Sequence, residues 1–305
     1  MRDANDEGVL PSFDDSAEAR IDARIDAQKR DLGGFEVGRV LPSVQRRAVG
    51  PFVFFDHFGP ATFPIGQGID VRPHPHIGLA TVTYLFEGQM LHRDNIGSRQ
   101  LIQPGGINWM TAGRGIAHSE RTPVDSRATG ASAHGLQLWI ALPKENEETA
   151  PSFHHHPEST LPDWADGGVR LRVLAGAAYG ATSPVAICSP LFYVEALIPA
   201  GQRLPLPDGY AERALYVVEG QVRCGATPVP HRQMLVVSPG PQPRLVAETD
   251  ARVVLIGGDA LDGPRFLWWN FVSSSRDRIE QAKRDWQSGA FPKVPGDDQE
   301  FIPLP

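Results

Sequence analysis

Two stretches of this chain, HPHIGLATVTYLFEGQ (His74–Gln89) and LPDGYAERALYVVEGQ (Leu206–Gln221), align without a gap, and both end in Glu-Gly-Gln. Each holds a run of β-branched, aromatic and apolar residues that stops at a glycine turn, the pattern of a buried strand entering a hairpin. The alignment sets Pro75 on Pro207, Tyr84 on Tyr216 and Leu85 on Val217. Such a repeat predicts two similar β-rich units in tandem. The 31 glycines and 28 prolines among 305 residues fit many short strands joined by turns.

The copies part company at their chemistry. His74 falls on Leu206 and His76 on Asp208; matching WMTAG to VVSPG sets His118 against Leu245 and Glu120 against Ala247. His74 and His76 are two residues apart, as are His118 and Glu120, and in a strand residues i and i+2 project from one face. Pro73 and Pro75 exclude a helix interior around the first pair. Gly105, Gly106, Gly113 and Gly115 break the second stretch into short extended pieces. Two such strands facing each other inside a barrel converge three imidazoles and a carboxylate. That donor set suits Fe(II), Mn, Ni, Cu or Zn rather than Ca or Mg. One divalent transition metal is therefore expected in the first unit and none in the second.

Outside these units, residues 1–32 read as a polar N-terminal tail, with a short helix expected at SAEARIDARIDAQKRD, capped by Asp14 or Asp15. Residues 33–142 form the first barrel, 143–168 a connection, 169–260 a second barrel lacking metal ligands, and 261–305 a strand, a helix and an extended tail. The helix is expected from Ser275 to Trp286. Cys188 and Cys224 stand outside any metal-type spacing and are expected to be buried, reduced side chains. A net charge of −7 argues against charge-driven nucleic-acid binding. No signal-like or membrane-length apolar stretch is found, so a cytoplasmic protein away from the membrane is expected.

The stretches VGPFVFFDHFGP (Val49–Pro60), DVRPHPHIGLATVTYLFEGQMLHRDNIGS (Asp70–Ser98) and PGGINWMTAGRGIAHSE (Pro104–Glu120) closely resemble the pirin family of bicupins. The C-terminal WWNFVSSS and RIEQAKRDW resemble its bacterial members. The resemblance is dense from Gly34 to Leu142 and thinner from Val169 to Pro305. It implies an all-β fold of two antiparallel cupin β-barrels and a short C-terminal helix, with an Fe(II)-type site in the first barrel. The family's ligand positions fall on His74, His76, His118 and Glu120. The glutamate of the general cupin pattern is missing, Thr81 standing where it is expected. Some pirins resemble quercetin 2,3-dioxygenases in activity, whereas the vertebrate member is associated with transcriptional co-regulation.

Four protein ligands on a six-coordinate ion leave two adjacent positions open, enough for a bidentate substrate or for a substrate plus O₂. A flavonol such as quercetin offers a 3-hydroxyl and 4-carbonyl edge, and Glu120 is the base expected to take the hydroxyl proton. Cleavage of the heterocycle with release of carbon monoxide follows. Two other readings stay open: a bicupin whose metal state regulates a protein partner, and a pocket that binds a small molecule without turnover. Among other conspicuous residues, His154, His155 and His156 read as a solvated loop. His57 and His92 lie near the first barrel's motifs, where hydrogen bonds that stabilise turns or support the site are expected. Arg114 faces either the site or a backbone carbonyl. Trp268, Trp269 and Phe271 are expected to pack the C-terminal segment onto a barrel.

Overall fold

Residues 20–32, 34–238 and 243–305 are described by a computed structural model, and they fold as strands with two helices. In chain order the first half contains β1 (Ile21–Asp26), β2 (Gln28–Asp31), β3 (Glu36–Leu41), β4 (Phe52–Phe63), β5 (Asp70–His76), β6 (Leu79–Gly88), β7 (Met90–Asp94), β8 (Arg99–Ile102), β9 (Ile107–Thr111), β10 (Ile116–Arg121), α1 (Val124–Thr129), β11 (Ala131–Ala141) and β12 (Ser152–His156). The second contains β13 (Asp163–Asp166), β14 (Val169–Ala178), β15 (Ala181–Thr182), β16 (Leu191–Ile198), β17 (Arg203–Pro205), β18 (Glu212–Glu219), β19 (Gln221–Cys224), β20 (Thr227–Pro230), β21 (Gln233–Val237), β22 (Arg244–Ala247), β23 (Ala251–Gly258), β24 (Phe266–Trp268), β25 (Phe271–Ser273) and α2 (Arg276–Ser288).

The strands form two β-barrels of matching topology. In the first, the sheet β12-β9-β6-β11-β4-β3-β2 closes with β5-β10-β7-β8; in the second, β1-β21-β18-β23-β16-β14-β13 closes with β17-β22-β19-β20. The repeated run is β6 in one barrel and β18 in the other. Its two turn glycines are required by geometry. Gly88 and Gly220 have φ of +87° and +77°, and a Cβ there would lie 2.0 Å from Ser132 O and 2.2 Å from Asp250 O.

Three features differ from the sequence expectations. The helix expected in the N-terminal stretch is instead β1 and β2, while Asp14 and Asp15 lie outside the described residues. In IDARID, Ala23 and Ile25 are buried while Asp22, Arg24 and Asp26 are exposed, an alternation of period two that pairs antiparallel with β21 of the second barrel. The open edge of β21 supplies the partner backbone that a helix would have supplied from within itself. The stretch 143–168 is also more than a link, since it carries β12, which extends the first barrel's sheet by pairing with β9. β12 thus occupies the place in the first barrel that β1 occupies in the second. Of the cysteines, Cys224 is buried as expected but Cys188 is exposed, and both are free.

The large sheets of the two barrels pack on each other through one apolar cluster, which includes Phe52, Phe55, Val82, Leu138, Tyr193, Tyr216 and Ile256. Along β6, Val82 and Tyr84 turn to this interface; Thr81 and Thr83, on the opposite face, turn into the barrel. Both faces are buried, which explains an apolar run without clean polar alternation. Polar pins cross the interface. Tyr84 donates to Glu195 Oε2 (2.6 Å) and accepts from Arg172 (3.0 Å). His57 Nδ1 lies 2.8 Å from Tyr216 Oη, and burial pushes this imidazole down to about 3. His57 therefore bridges the two barrels rather than supporting a turn.

The C-terminal helix α2 lies where the sequence places it. Ser275 Oγ accepts from Arg278 N (3.4 Å) at its start, and Gly289 is left-handed at its end. No helix among the described residues is long and apolar enough to cross a membrane.

The assignment of β1 is tested by Ile25→Ala. Ile25 is 2% exposed, so the change should cost about 2–5 kcal/mol in urea unfolding, the usual range for a buried Ile→Ala cavity. A change within about 0.5 kcal/mol, as expected of a surface tail, would contradict the docking of this strand.

Candidate metal centre

β5 and β10 are antiparallel neighbours, and their register sets His118 opposite His74. The i, i+2 spacing turns His74 and His76 to the same side of β5. A register shift between His118 and Glu120 breaks the ladder at that point, a bulge of the kind that re-aims a side chain. The three imidazoles meet: ring centroids lie 4.4 Å apart for His74 and His118, 4.9 Å for His74 and His76, and 5.0 Å for His76 and His118. Their ligand nitrogens all lie within 4.8 Å of one another. Glu120 groups with His118 and His92 within the same limit. All four residues expected from the sequence are buried and line one cavity.

Each ring is oriented from behind. His74 Nδ1 donates to Arg72 O (2.8 Å) and His76 Nδ1 to Asn270 O (3.2 Å), which leaves the Nε2 lone pair of each ring facing inward. His76 Nε2 lies 3.1 Å from His118 Nε2. Burial pushes His74 down to about 4 and holds His76 and His118 well below the usual histidine range. All three are neutral at pH 7, the form that ligates a metal. Lone pairs of neutral rings converging in a buried space fit a divalent cation.

The carboxylate is held separately. Thr83 Oγ1 donates to Glu120 Oε1 (2.7 Å) and lies 2.9 Å from Gln137 Oε1. Burial pushes Glu120 above the usual carboxylate range, with the Thr83 hydrogen bond opposing it. The cavity in front of these groups measures about 440 Å³. Phe54 stacks on Trp139 at 3.9 Å and 12°, and Trp139 stands edge-on to His76. Arg39 makes a two-pronged bridge to buried Asp56, both contacts at 2.7 Å, with its guanidinium 4.2 Å over the Phe54 ring.

Part of this cavity comes from the far end of the chain. Trp269, Asn270 and Ile302 line it. The segment is fastened by Ile302 N donating to Pro73 O (2.8 Å), Trp286 Nε1 to Ile302 O (2.9 Å) and Arg121 Nε to Asp297 Oδ2 (2.6 Å). Trp269 therefore does more than pack, and Asn270 and Ile302 carried no signal in the sequence, because a backbone carbonyl or a tail crossing is not encoded locally. Thr83 and Gln137 were equally hidden inside apolar runs.

Other residues resolve differently. His154, His155 and His156 sit on β12 rather than in a loop, and His155 Nδ1 lies 2.7 Å from Asn108 Oδ1. Arg114 is exposed and outside the cavity lining, its carbonyl accepting from Arg278 (2.6 Å). Thr81 is buried without lining the cavity. His92 is buried, 3.4 Å from His118 through their Nδ1 atoms. In the second barrel Leu206, Leu245 and Ala247 belong to an apolar core and Asp208 is exposed. Arg213, the counterpart of Thr81, is buried there and donates to Pro207 O and Ser238 O, each at 3.3 Å. Apolar side chains thus stand in that interior where the first barrel holds its imidazoles.

Comparison with known proteins agrees with this architecture. Residues 34–140 match the family model described as Pirin, and residues 193–292 the model described as Pirin C-terminal cupin domain. A pirin-like protein of Caulobacter vibrioides is 51% identical over 93% of this chain and 99% of its own length. A Pseudomonas aeruginosa protein provisionally named a quercetin 2,3-dioxygenase is 41% identical over 87% of this chain and 84% of its own. A crystal structure of a quercetin 2,3-dioxygenase from Acinetobacter baumannii superposes with a TM-score of 0.87 at 35% identity, covering 93% of this chain and 94% of the other.

Chelator-stripped protein should bind one equivalent of Co(II) or Ni(II). His76→Ala should weaken this by at least about 100-fold, and a His154→Ala/His156→Ala double variant should leave it unchanged. Calorimetric titration reads both; loss of binding in the double variant would assign the ion to β12 instead.

Proposed function

The chain belongs to the pirin family, and on that premise we propose that its first barrel is a metal-dependent dioxygenase site that opens the heterocycle of a flavonol such as quercetin with O₂. The observation that supports it most is a buried three-imidazole cluster with an adjacent carboxylate, set against an aromatic cavity of about 440 Å³. That size falls in the range of small-molecule sites. His74, His76, His118 and Glu120 are the residues that would hold the ion. Fe(II) is the preferred occupant, with Mn, Ni, Cu and Zn able to use the same donors. When bound, the ion supplies Lewis acidity toward a hydroxyl–carbonyl edge and a template for O₂.

The protein's own groups supply the rest. Phe54, Phe58, Trp139 and Trp269 give the cavity an aromatic lining suited to a planar substrate. Arg39, Asp56 and Gln137 offer donors and acceptors to phenolic hydroxyls along it. Glu120 takes the 3-hydroxyl proton. Thr83 donates to its Oε1, which leaves Oε2 as the oxygen to receive the proton. With Thr83 on one lone pair of Oε1, the other would serve the ion and Oε2 would take the proton. The C-terminal segment, through Trp269 and Ile302, screens the slot from water.

Protein reconstituted anaerobically with each of the five metals and given quercetin should consume O₂ in step with loss of the flavonol absorbance. Glu120→Gln should lower that rate by about 10²–10⁴-fold, the usual contribution of a general base, while some metal is retained. Metal-replete protein that is silent with every ion would overturn the reading and favour a bicupin that acts through a protein partner.

A further inference from the structure

His74 and His76 are oriented by backbone carbonyls, but His118 is not. Its Nδ1 lies 3.4 Å from Nδ1 of His92, and Nε2 of His92 lies 3.1 Å from Asp94 Oδ2. His118, His92 and Asp94 are all at least 98% buried (1%, 2% and 0% exposed), so no bulk water substitutes for these bonds. Asp94 Oδ1 is already engaged, accepting from the backbone N–H of Ile96 (3.1 Å) and Ser98 (2.8 Å). The His92 ring is fixed in plane by Phe153 of β12, stacked at 4.2 Å and 18°.

Among neutral rings one proton arrangement puts a hydrogen in both the Asp94–His92 and the His92–His118 contacts; it leaves lone pairs on His76 Nε2 and His118 Nε2, 3.1 Å apart, a repulsion that a bound cation would relieve. A carboxylate accepts and cannot donate, so His92 Nε2 carries the hydrogen that faces Asp94. His92 Nδ1 then bears a lone pair and must accept. His118 Nδ1 must therefore be the N–H donor, and His118 Nε2 carries the lone pair. That atom is the one 3.1 Å from His76 Nε2 at the centre of the cluster.

We propose that Asp94 and His92 form a directional two-bond relay that fixes the tautomer and orientation of His118, making it a metal ligand through Nε2. The inference rests on the metal-centre reading above and deepens it. His92 and Asp94 are positioning residues here: they act through His118. The sequence already carried the pattern, in LHRD, where two residues two apart share one face of β7, the strand that pairs with β10 beside His118.

Asp94→Asn separates this role from a structural one. Its Oδ1 keeps the acceptor for the Ile96 and Ser98 N–H groups, while its amide replaces Oδ2 with a donor. A donor at that position turns His92 Nε2 into an acceptor, makes Nδ1 the N–H, and forces the hydrogen of His118 onto Nε2. Long-range ¹H–¹⁵N NMR of the metal-free protein reads the tautomers directly. Wild type should show His92 as Nε2–H and His118 as Nδ1–H, and Asp94→Asn should invert both without moving the thermal midpoint. Co(II) affinity, measured by chelator competition, should fall about 10–100-fold in Asp94→Asn and in His92→Phe, with the visible spectrum of the bound ion retained. An Nε2–H tautomer of His118 in wild type, or an unchanged affinity in Asp94→Asn, would overturn the relay. So would loss of Co(II) confined to His92→Phe with an altered spectrum, since His92 would then be a ligand itself. If wild type takes up no Co(II), the metal reading fails while the NMR result still decides the relay.

Discussion

Strands with two buried faces govern this structure. β6 and β18 each give one face to the contact between the barrels and the other to their own barrel interior. The shared face must be apolar in both copies, and it is: Val82 and Tyr84 on one side, Ala214 and Tyr216 on the other. The inner face is where the copies are free to differ. In the second barrel it carries Leu215 and Val217, which pack a solid core with Leu235 and Val253. In the first it carries Thr81 and Thr83, near imidazoles and a carboxylate around an open space. One barrel can hold polar groups away from water because the other helps supply the apolar burial that stabilises both.

The cost of burying those polar groups is met by pairing almost all of them. His74 and His76 reach backbone carbonyls, Glu120 reaches Thr83, and Asp56 reaches Arg39. One of those carbonyls, Asn270 O, comes from beyond the second barrel. The first barrel's site is thus completed by the end of the chain, and the second barrel is the scaffold that carries that end back. This gives the ligand-free barrel a role that its own interior does not suggest.

Much of this was legible in the sequence, and the reason is period two. The pairs His74/His76 and His118/Glu120 declare themselves because strand geometry turns i and i+2 to one side, and the repeat ending in Glu-Gly-Gln marks equivalent strands and turns. The helix α2 was readable from its serine cap and spacing. What escaped was non-local. The edge that stabilises β1, β21, lies far along the chain, so the alternation in IDARID alone does not distinguish this strand from a helix. β12 was hidden in the same way by its pairing with β9, and with it the stacking of Phe153 on His92. Thr83, Gln137 and Asn270 are ordinary residues whose importance is set only by what folding brings beside them.

The donors His74, His76, His118 and Glu120 define one ion site, in the first barrel alone. Anomalous diffraction from crystals of the Ni(II)- or Mn(II)-loaded protein, collected at the metal edge, tests it most directly. A single strong peak per chain is expected, about 2.0–2.2 Å from the Nε2 atoms of the three histidines and from one oxygen of Glu120. A peak on His154 and His156, a second peak in the Leu206–Ala247 barrel, or a peak bonded to His92 in place of Glu120 would contradict it.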